Sequence, residues 1–252
     1  MKIVNPSKQN LSKEKLQFMD ELFMDRYISS GKISGTQTLV ARNGEIVHCH
    51  SQGLRDIEQN LKMEDDSIFR IYSMTKPVTG VALMQLYEKG YFHLADPVSK
   101  FLPEFKNQSV FISGGSGLAS TIEDYFKFSQ MLLNGGELNG KRILSRKTVE
   151  LMTMNHLPDN KTLLDMNAGG GFSEVRYQGM GYGLSMAVTV DQAATQISGT
   201  AGSYNWGGMA STFFWIDPKE NLLGIFMTQL RPSTTFPFRG QMQAMVYGAF
   251  ED

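Results

Sequence analysis

The sequence predicts an α+β fold, in which helices flank one antiparallel five-stranded sheet built from both ends of the chain. A strand hairpin follows the first predicted helix, and three more strands fill the last third of the chain. The middle of the chain carries apolar residues at helical spacing. Strands that enclose a helical middle can bury their apolar faces by pairing in one sheet, so we expect a layered sandwich of sheet and helices.

The N-terminal part is predicted to form a helix and a hairpin. Apolar residues recur at helical spacing over 11–29, and Ser12 is the expected N-cap. Two β-prone runs, 36–42 and 45–50, flank Asn43-Gly44, which is the strongest short signal for a hairpin turn.

Two histidines lie on the second strand of this hairpin. His48 and His50 are two residues apart and therefore point the same way, as a metal site would require. No third ligand is near them in the sequence, so we interpret them as two exposed histidines on a half-buried strand. No metal site is predicted.

Residues 66–90 predict the central helix. Its apolar residues have helical spacing and Gly90 supplies a stop. Pro77 lacks an N–H and is tolerated only near a helix start, so the helix is expected to begin around Ser73.

The remaining elements follow from caps and β-prone runs. Residues 105–118 are expected to form a loop, and Tyr125 is expected on the buried face of the helix that follows it. Ser120 is the expected N-cap of the next helix, with Glu123 as its capping-box partner, and Ser145 is the expected N-cap of a short one. Strands are predicted over 183–190, 203–216 and 222–230, and a closing helix over 239–251.

Composition narrows the classes of function. The chain has 252 residues, a formal net charge of −1 and one cysteine, Cys49. Scattered charges favour neither a nucleic-acid groove nor a membrane surface, and a single cysteine excludes an internal disulfide. No apolar run could span a bilayer and residues 1–16 lack the apolar core of a leader, so a cytoplasmic protein is expected. The glycine-rich run 169–171 follows no strand, so it is not a phosphate cradle. No cofactor is predicted.

Ser73 and Lys76 form the candidate catalytic pair. Residues three apart on a helix lie on one face, so the hydroxyl and the amine can touch. A serine needs an adjacent base to become a nucleophile, and lysine can be that base when burial lowers its pKa. The start of a helix also favours an oxyanion next to Ser73.

The sequence around this pair resembles that of a known protein family. The stretch FRIYSMTKPVTGVALMQLYEKGYFHLADPVSKFLPEF (69–105) is similar to the active-site stretch of family VIII carboxylesterases and class C β-lactamases, in the serine β-lactamase/penicillin-binding-protein superfamily. Residues 113–158 and 202–229 resemble later parts of the same family. The resemblance implies one β-lactamase-like domain over 1–252, in which 1–65 and 181–252 form the sheet part and 66–180 form a reduced helical part.

The family's third motif is also recognisable. The residues Trp206-Gly207-Gly208 stand where β-lactamases have Lys-Thr-Gly. The Trp-Gly-Gly form resembles the one typical of family VIII esterases. A tryptophan offers an apolar wall that suits an uncharged ester, so these three residues are the expected substrate-binding strand. The resemblance implies that the backbone N–H groups of Met209 and Ser73 form the oxyanion hole.

The family's second motif, which supplies a tyrosine, is missing together with part of the helical subdomain. Tyr204 shares a strand face with Trp206 by the two-residue period and is the first candidate to replace the missing phenol. Tyr177 and Tyr182, beside the glycine-rich loop, are the other candidates. Without that part of the subdomain, one wall of the pocket should be thinner and should exclude less water from the site. The apolar face that it would have covered is left exposed, which favours a homo-oligomer.

The leading hypothesis is a serine hydrolase that cleaves short-chain carboxylic esters of small molecules through an acyl-enzyme. The alternatives are hydrolysis of β-lactams by the same acyl chemistry, and a binding protein that kept the fold but lost turnover.

Overall fold

The computed structural model describes residues 1–103, 114–166 and 178–252. Its strands are β1 (Gly35–Arg42), β2 (Glu45–Asp56), β3 (Leu61–Lys62), β4 (Phe69–Arg70), β5 (Ala119–Ser120), β6 (Glu137–Leu138), β7 (Lys141–Arg142), β8 (Met180–Tyr182), β9 (Ala187–Thr189), β10 (Tyr204–Gly207), β11 (Phe213–Asp217) and β12 (Leu222–Met227). Its α-helices are α1 (Lys13–Phe23), α2 (Thr75–Glu88), α3 (Ile122–Leu133), α4 (Arg146–Met152), α5 (Gln192–Thr195) and α6 (Phe238–Gly248).

One antiparallel sheet joins the two ends of the chain, as predicted. Its strand order is β3-β2-β1-β12-β11-β10-β9-β8. The N-terminal strand β1 pairs directly with the last strand β12, with Gln37 opposite Met227. The fold class is therefore confirmed, although the described sheet has eight strands and not five. The hairpin turn is also confirmed, since Asn43 and Gly44 both adopt positive φ between β1 and β2.

The predicted single strand over 203–216 is wrong. The chain instead forms β10 and β11, which pair antiparallel with Trp206 opposite Phe214. The Gly208 N–H donates to the Thr212 carbonyl at 2.7 Å and closes the turn between them. Ser211 has a φ of 67° in that turn, a backbone conformation that a run of β-prone residues does not predict.

Alternation along the strands separates two cores. Phe214 and Ile216 of β11 face the layer of α2 and α3, whereas Phe213 and Trp215 face the layer of α1 and α6. Because successive side chains of a strand point to opposite faces, each central strand contributes to both cores. Helices therefore cover both faces of the sheet, and α2 lies on the face of the first core.

The helix starts confirm two predicted caps and correct a third. Ser12 accepts from the Lys15 N–H before α1, and Ser145 accepts from the Thr148 N–H before α4. The N-cap of α3 is Thr121, which accepts from Asp124, whereas the predicted cap Ser120 belongs to β5. The pairing of β5 with β4 extends the backbone up to Ser120, so the cap moves one residue further.

The two histidines of β2 do not form an exposed pair. His48 is only 9% exposed, and its Nε2 lies 3.1 Å from Asp20 Oδ1 on α1. His50 Nδ1 lies 3.3 Å from the other oxygen of the same carboxylate. This contact with Asp20 raises the pKa of His50. The histidines thus tie α1 to the sheet, and within the described ranges no group of three or more His, Cys, Asp or Glu is arranged to hold a metal ion.

Some predictions concern residues outside the described ranges. Tyr177, the glycine run 169–171 and the part of the predicted loop 105–118 that precedes Gly114 are among them. Of the helices that the structure describes, none combines the length and the hydropathy needed to cross a membrane.

Candidate active site

Ser73 lies in a single helical turn, Tyr72–Met74, directly before α2. The turn is held on one side by β4 and β5, and the Ile71 N–H donates to the Leu118 carbonyl at 3.1 Å. Tyr72 adopts a φ of 45°, which non-glycine residues rarely do and which is typical of strained turns at functional sites. Pro77 is the third residue of α2, so the predicted helix mouth at Ser73 is confirmed.

Lys76 contacts Ser73 as the spacing predicts. Its Nζ lies 2.9 Å from Ser73 Oγ and 3.1 Å from the Gly115 carbonyl oxygen, to which it donates. Burial lowers the pKa of Lys76 from its ordinary value. A neutral amine that donates to Gly115 keeps a lone pair for the Ser73 proton, so the geometry fits a base next to its nucleophile.

The segment after the first gap in the described residues supplies the second contact of Lys76. It is docked on the first turn of α2, where Thr79 Oγ1 donates to the Gly114 carbonyl at 2.8 Å and the Leu118 N–H donates to Thr75 Oγ1 at 3.3 Å. The sequence predicted only a loop here. The glycines of this segment were the available signal of its close contact with α2, because a Cβ at Gly114 would lie 2.9 Å from the Thr79 side chain.

A buried tyrosine forms a hydrogen bond to the nucleophile turn. Tyr125 of α3 is 2% exposed, and its hydroxyl donates to the Met74 carbonyl at 3.1 Å. Its ring contacts Phe214 of the sheet. Sequence periodicity identified Tyr125 only as a core residue, because a hydrogen bond to a backbone group 51 residues away leaves no local pattern.

The end of β10 approaches the nucleophile turn closely. An added Cβ at Gly208 would lie 2.5 Å from the Ile71 carbonyl oxygen and 2.3 Å from Thr212 Oγ1. Gly208 therefore permits the contact between the turn and the strand. Met209 follows it directly, and its side chain is 41% exposed. Gly207 faces the opposite way, towards the buried Arg239.

Trp206 and Tyr182 stand side by side at the edge of this region. Trp206 is partly buried and packs against the first core. The ring of Tyr182, the last residue of β8, meets it edge to face with centroids 5.2 Å apart.

Tyr204 lies deeper on the same strand. It shares the face of Trp206, as the two-residue period predicts, but it is 2% exposed and forms part of the first core. Burial raises the pKa of its phenol. The structure thus brings Ser73, Lys76 and the Gly208 turn together, and it places Tyr204 among packing residues.

Comparison with known proteins identifies the family of this chain. The protein-family model described as Beta-lactamase matches residues 17–109 and 106–246. Esterase EstB of Burkholderia gladioli is 38% identical over 88 residues, which are 35% of this chain and 22% of EstB. Protein flp of Staphylococcus aureus is 30% identical over 96 residues, which are 38% of this chain and 19% of flp. The chain thus aligns with less than a third of the length of these relatives.

Solved structures share the fold over most of the chain. EstCE1, described as a hydrolase with promiscuous acyltransferase activity, superposes with a TM-score of 0.78 at 16% identity, covering 93% of this chain and 99% of that one. Unliganded simvastatin synthase LovD of Aspergillus terreus gives 0.78 at 15% identity, with 94% and 98% covered. The octameric penicillin-binding protein homologue of Pyrococcus abyssi gives 0.67 at 14% identity, with 94% and 78% covered. At these identities the likeness establishes the fold alone.

Replacing Gly208 by alanine tests the close approach of β10 to the nucleophile turn. The added Cβ meets backbone at Ile71 that cannot give way freely, so we expect Gly208→Ala to lower the free energy of unfolding by about 1–3 kcal/mol. Gly240→Ala is the matched control, since nothing lies within 4 Å of its Cβ and its helical site should gain about 0.5–1 kcal/mol. Urea unfolding followed by circular dichroism measures both. Equal stability of Gly208→Ala and wild type would contradict the contact.

Proposed function

Because this chain belongs to the Beta-lactamase family, we propose that it is a serine hydrolase that cleaves short-chain carboxylic esters through an acyl-enzyme on Ser73. The observation that carries the proposal is the 2.9 Å contact between Lys76 Nζ and Ser73 Oγ. An esterase EstB among its relatives and a hydrolase of the same fold are consistent with it.

Acylation begins when neutral Lys76 accepts the hydroxyl proton of Ser73. Oγ forms a bond to the ester carbonyl carbon, and the carbonyl oxygen becomes an oxyanion. We propose that the backbone N–H groups of Ser73 and Met209 hold this oxyanion, since Gly208 brings that part of the chain against the nucleophile turn. The C–O bond then breaks and the acyl group stays on Ser73. The alcohol oxygen takes a proton from a phenol, which recovers one from Lys76.

Deacylation reverses these roles. Lys76 accepts a proton from water, the water oxygen attacks the acyl carbon, and the bond to Ser73 Oγ breaks. Oγ then takes the proton back from Lys76 and the carboxylic acid leaves. Both the neutral and the ammonium form of Lys76 can donate a hydrogen bond to the Gly115 carbonyl. The amine therefore stays in place while it gains and loses a proton.

Trp206, Gly207 and Gly208 are proposed to bind the substrate beside the nucleophile. The indole of Trp206 is partly buried and offers an apolar surface. Gly207 and Gly208 can contribute only their backbone groups, because a Cβ at Gly207 would meet Arg239 and one at Gly208 would meet Ile71. This wall favours esters over β-lactams, in which a carboxylate would need a cation at the position of Trp206.

The identity of the phenol that assists proton transfer stays a prediction. The sequence favours Tyr204, but a phenol with a raised pKa inside the core is poorly placed to exchange protons with a substrate. We propose Tyr182 in its place, because it is partly exposed and lies against Trp206.

Turnover of p-nitrophenyl acetate tests the Ser73–Lys76 pair. We expect Ser73→Ala to lower kcat/KM by on the order of 10³-fold or more and Lys76→Met by about 10²–10⁴-fold. Lys89→Met, at the exposed far end of the same helical stretch, is the control and should change neither value. The base must be neutral, so kcat/KM should rise with pH through the pKa of Lys76 and inflect below 10.5, the ordinary value for lysine.

Other outcomes decide between the functions. Ser73-dependent colour from nitrocefin but not from p-nitrophenyl acetate would support β-lactam hydrolysis instead. A complete lack of Ser73-dependent signal from both would leave a binding protein with this fold.

Two conservative substitutions separate the phenols. We expect Tyr182→Phe to lower kcat for ethyl butyrate, whose ethoxide must be protonated as it leaves, by about 10²-fold at nearly constant KM, because it removes a proton carrier and keeps the ring against Trp206. Tyr204→Phe should change kcat little. Steady-state kinetics on variants matched for thermal unfolding measure both, and the reverse order would restore Tyr204 as the proton carrier.

A further inference from the structure

The residues after β12 bring a guanidinium group to the nucleophile turn. Arg231 is exposed, and its guanidinium carbon lies 5.7 Å from the centre of the Tyr72 ring. Tyr72 directly precedes Ser73. A guanidinium stacked on an aromatic face is held by its π surface, while its in-plane N–H groups stay available for an acceptor.

Hydrogen bonds fix the segment that carries Arg231 on both sides of the site. On one side, the Gln229 side chain accepts from the Arg70 N–H at 3.3 Å and donates to the Arg70 carbonyl at 3.1 Å. On the other, the Leu230 N–H donates to the Ala210 carbonyl at 3.1 Å, and Ser211 Oγ donates to the Leu230 carbonyl at 2.9 Å.

These bonds tie the residues directly before Arg231 to the two chain segments that carry the proposed oxyanion donors. Arg70 lies three residues before Ser73, and Ala210 directly follows Met209. The position of Arg231 is therefore set by the same two backbone segments that are proposed to surround the reacting carbonyl.

The charge of Arg231 is not neutralised by a carboxylate of the residues that the structure describes: no Asp or Glu among them lies within ion-pair distance of it. Arg42 shows the contrast, since it pairs with Asp252 at 2.8 Å and Glu220 at 3.6 Å and stacks on Phe250. Arg42 serves the fold, whereas Arg231 presents an exposed cation at the ring of Tyr72, the residue that precedes Ser73.

We propose that Arg231 makes this site selective for esters that carry a carboxylate group away from the scissile bond, an inference that rests on the proposed ester hydrolysis at Ser73. Planar guanidinium and carboxylate groups can form two parallel hydrogen bonds, which orient as well as attract. Trp206 then contacts the apolar part of the substrate, and the anionic group is recognised from the Tyr72 side of the site.

Pairs of substrates that differ in one charge test this selectivity. The first pair, 4-acetoxybenzoate and its methyl ester, carries the charge on the alcohol side. The second pair, the mono-4-nitrophenyl ester of adipic acid and its methyl ester, carries it on the acyl side. In at least one pair we expect wild type to favour the charged member about tenfold in kcat/KM at low salt, with a smaller preference at high ionic strength.

Substitution of Arg231 should remove this preference. We expect Arg231→Gln to lower the ratio of charged to neutral kcat/KM about tenfold, and Arg231→Lys to keep part of it because the charge remains. Arg26→Gln makes the same change of charge on an exposed residue of the α1 side and should leave the ratio as in wild type. A ratio that Arg231→Gln does not change, or that wild type does not show in either pair, would overturn the inference.

A binding measurement separates failure of this inference from failure of the proposed hydrolysis. If no Ser73-dependent turnover is seen, hydrolysis fails, and calorimetry with the amide analogues 4-acetamidobenzoate and 4-acetamidobenzamide then decides the role of Arg231. Tighter binding of the carboxylate that disappears in Arg231→Gln supports it. The mono-4-nitroanilide of adipic acid and its methyl ester form the matching pair with the charge on the acyl side. Equal binding of the charged and neutral members in both pairs overturns it.

Discussion

The contact between the Lys76 amine and the Ser73 hydroxyl is the interaction on which the rest of the site depends. It follows from helical geometry alone, since residues three apart at the start of α2 share a face. Its chemical value comes from the surroundings. Partial burial lowers the pKa of Lys76, and the Gly115 carbonyl gives the amine a fixed partner that is independent of Ser73.

The fold supplies these surroundings from distant parts of the sequence. Tyr125 on α3 donates a hydrogen bond to the Met74 carbonyl, directly after the nucleophile in the chain. Gly208 lets the end of β10 lie against the Ile71 carbonyl, two residues before the nucleophile. Both depend on the central sheet, in which β1 pairs with β12 and so brings the ends of the chain together. Residues with little chemistry of their own therefore determine where the reactive pair is placed and what it faces.

The sequence predicts what local rules control and misses what tertiary contacts decide. The Ser73–Lys76 pair, the Asn43 turn and the Ser12 cap are local, so spacing and residue type were sufficient. The continuous β-prone run 203–216 concealed a turn that the Gly208–Thr212 hydrogen bond closes and whose glycine packs on Ile71. The histidines of β2 were misjudged for the same reason, because their partner Asp20 lies 28 residues from His48.

The role of Lys76 as the base for Ser73 is tested most directly by the rate at which a fluorophosphonate labels Ser73, followed by intact-protein and peptide mass spectrometry across pH. We expect one adduct, on Ser73, whose rate of formation rises with pH to an inflection below the ordinary pKa of lysine and falls sharply in Lys76→Met. Labelling on another residue, or labelling of Ser73 at the same rate and with the same pH dependence without the Lys76 amine, would contradict it.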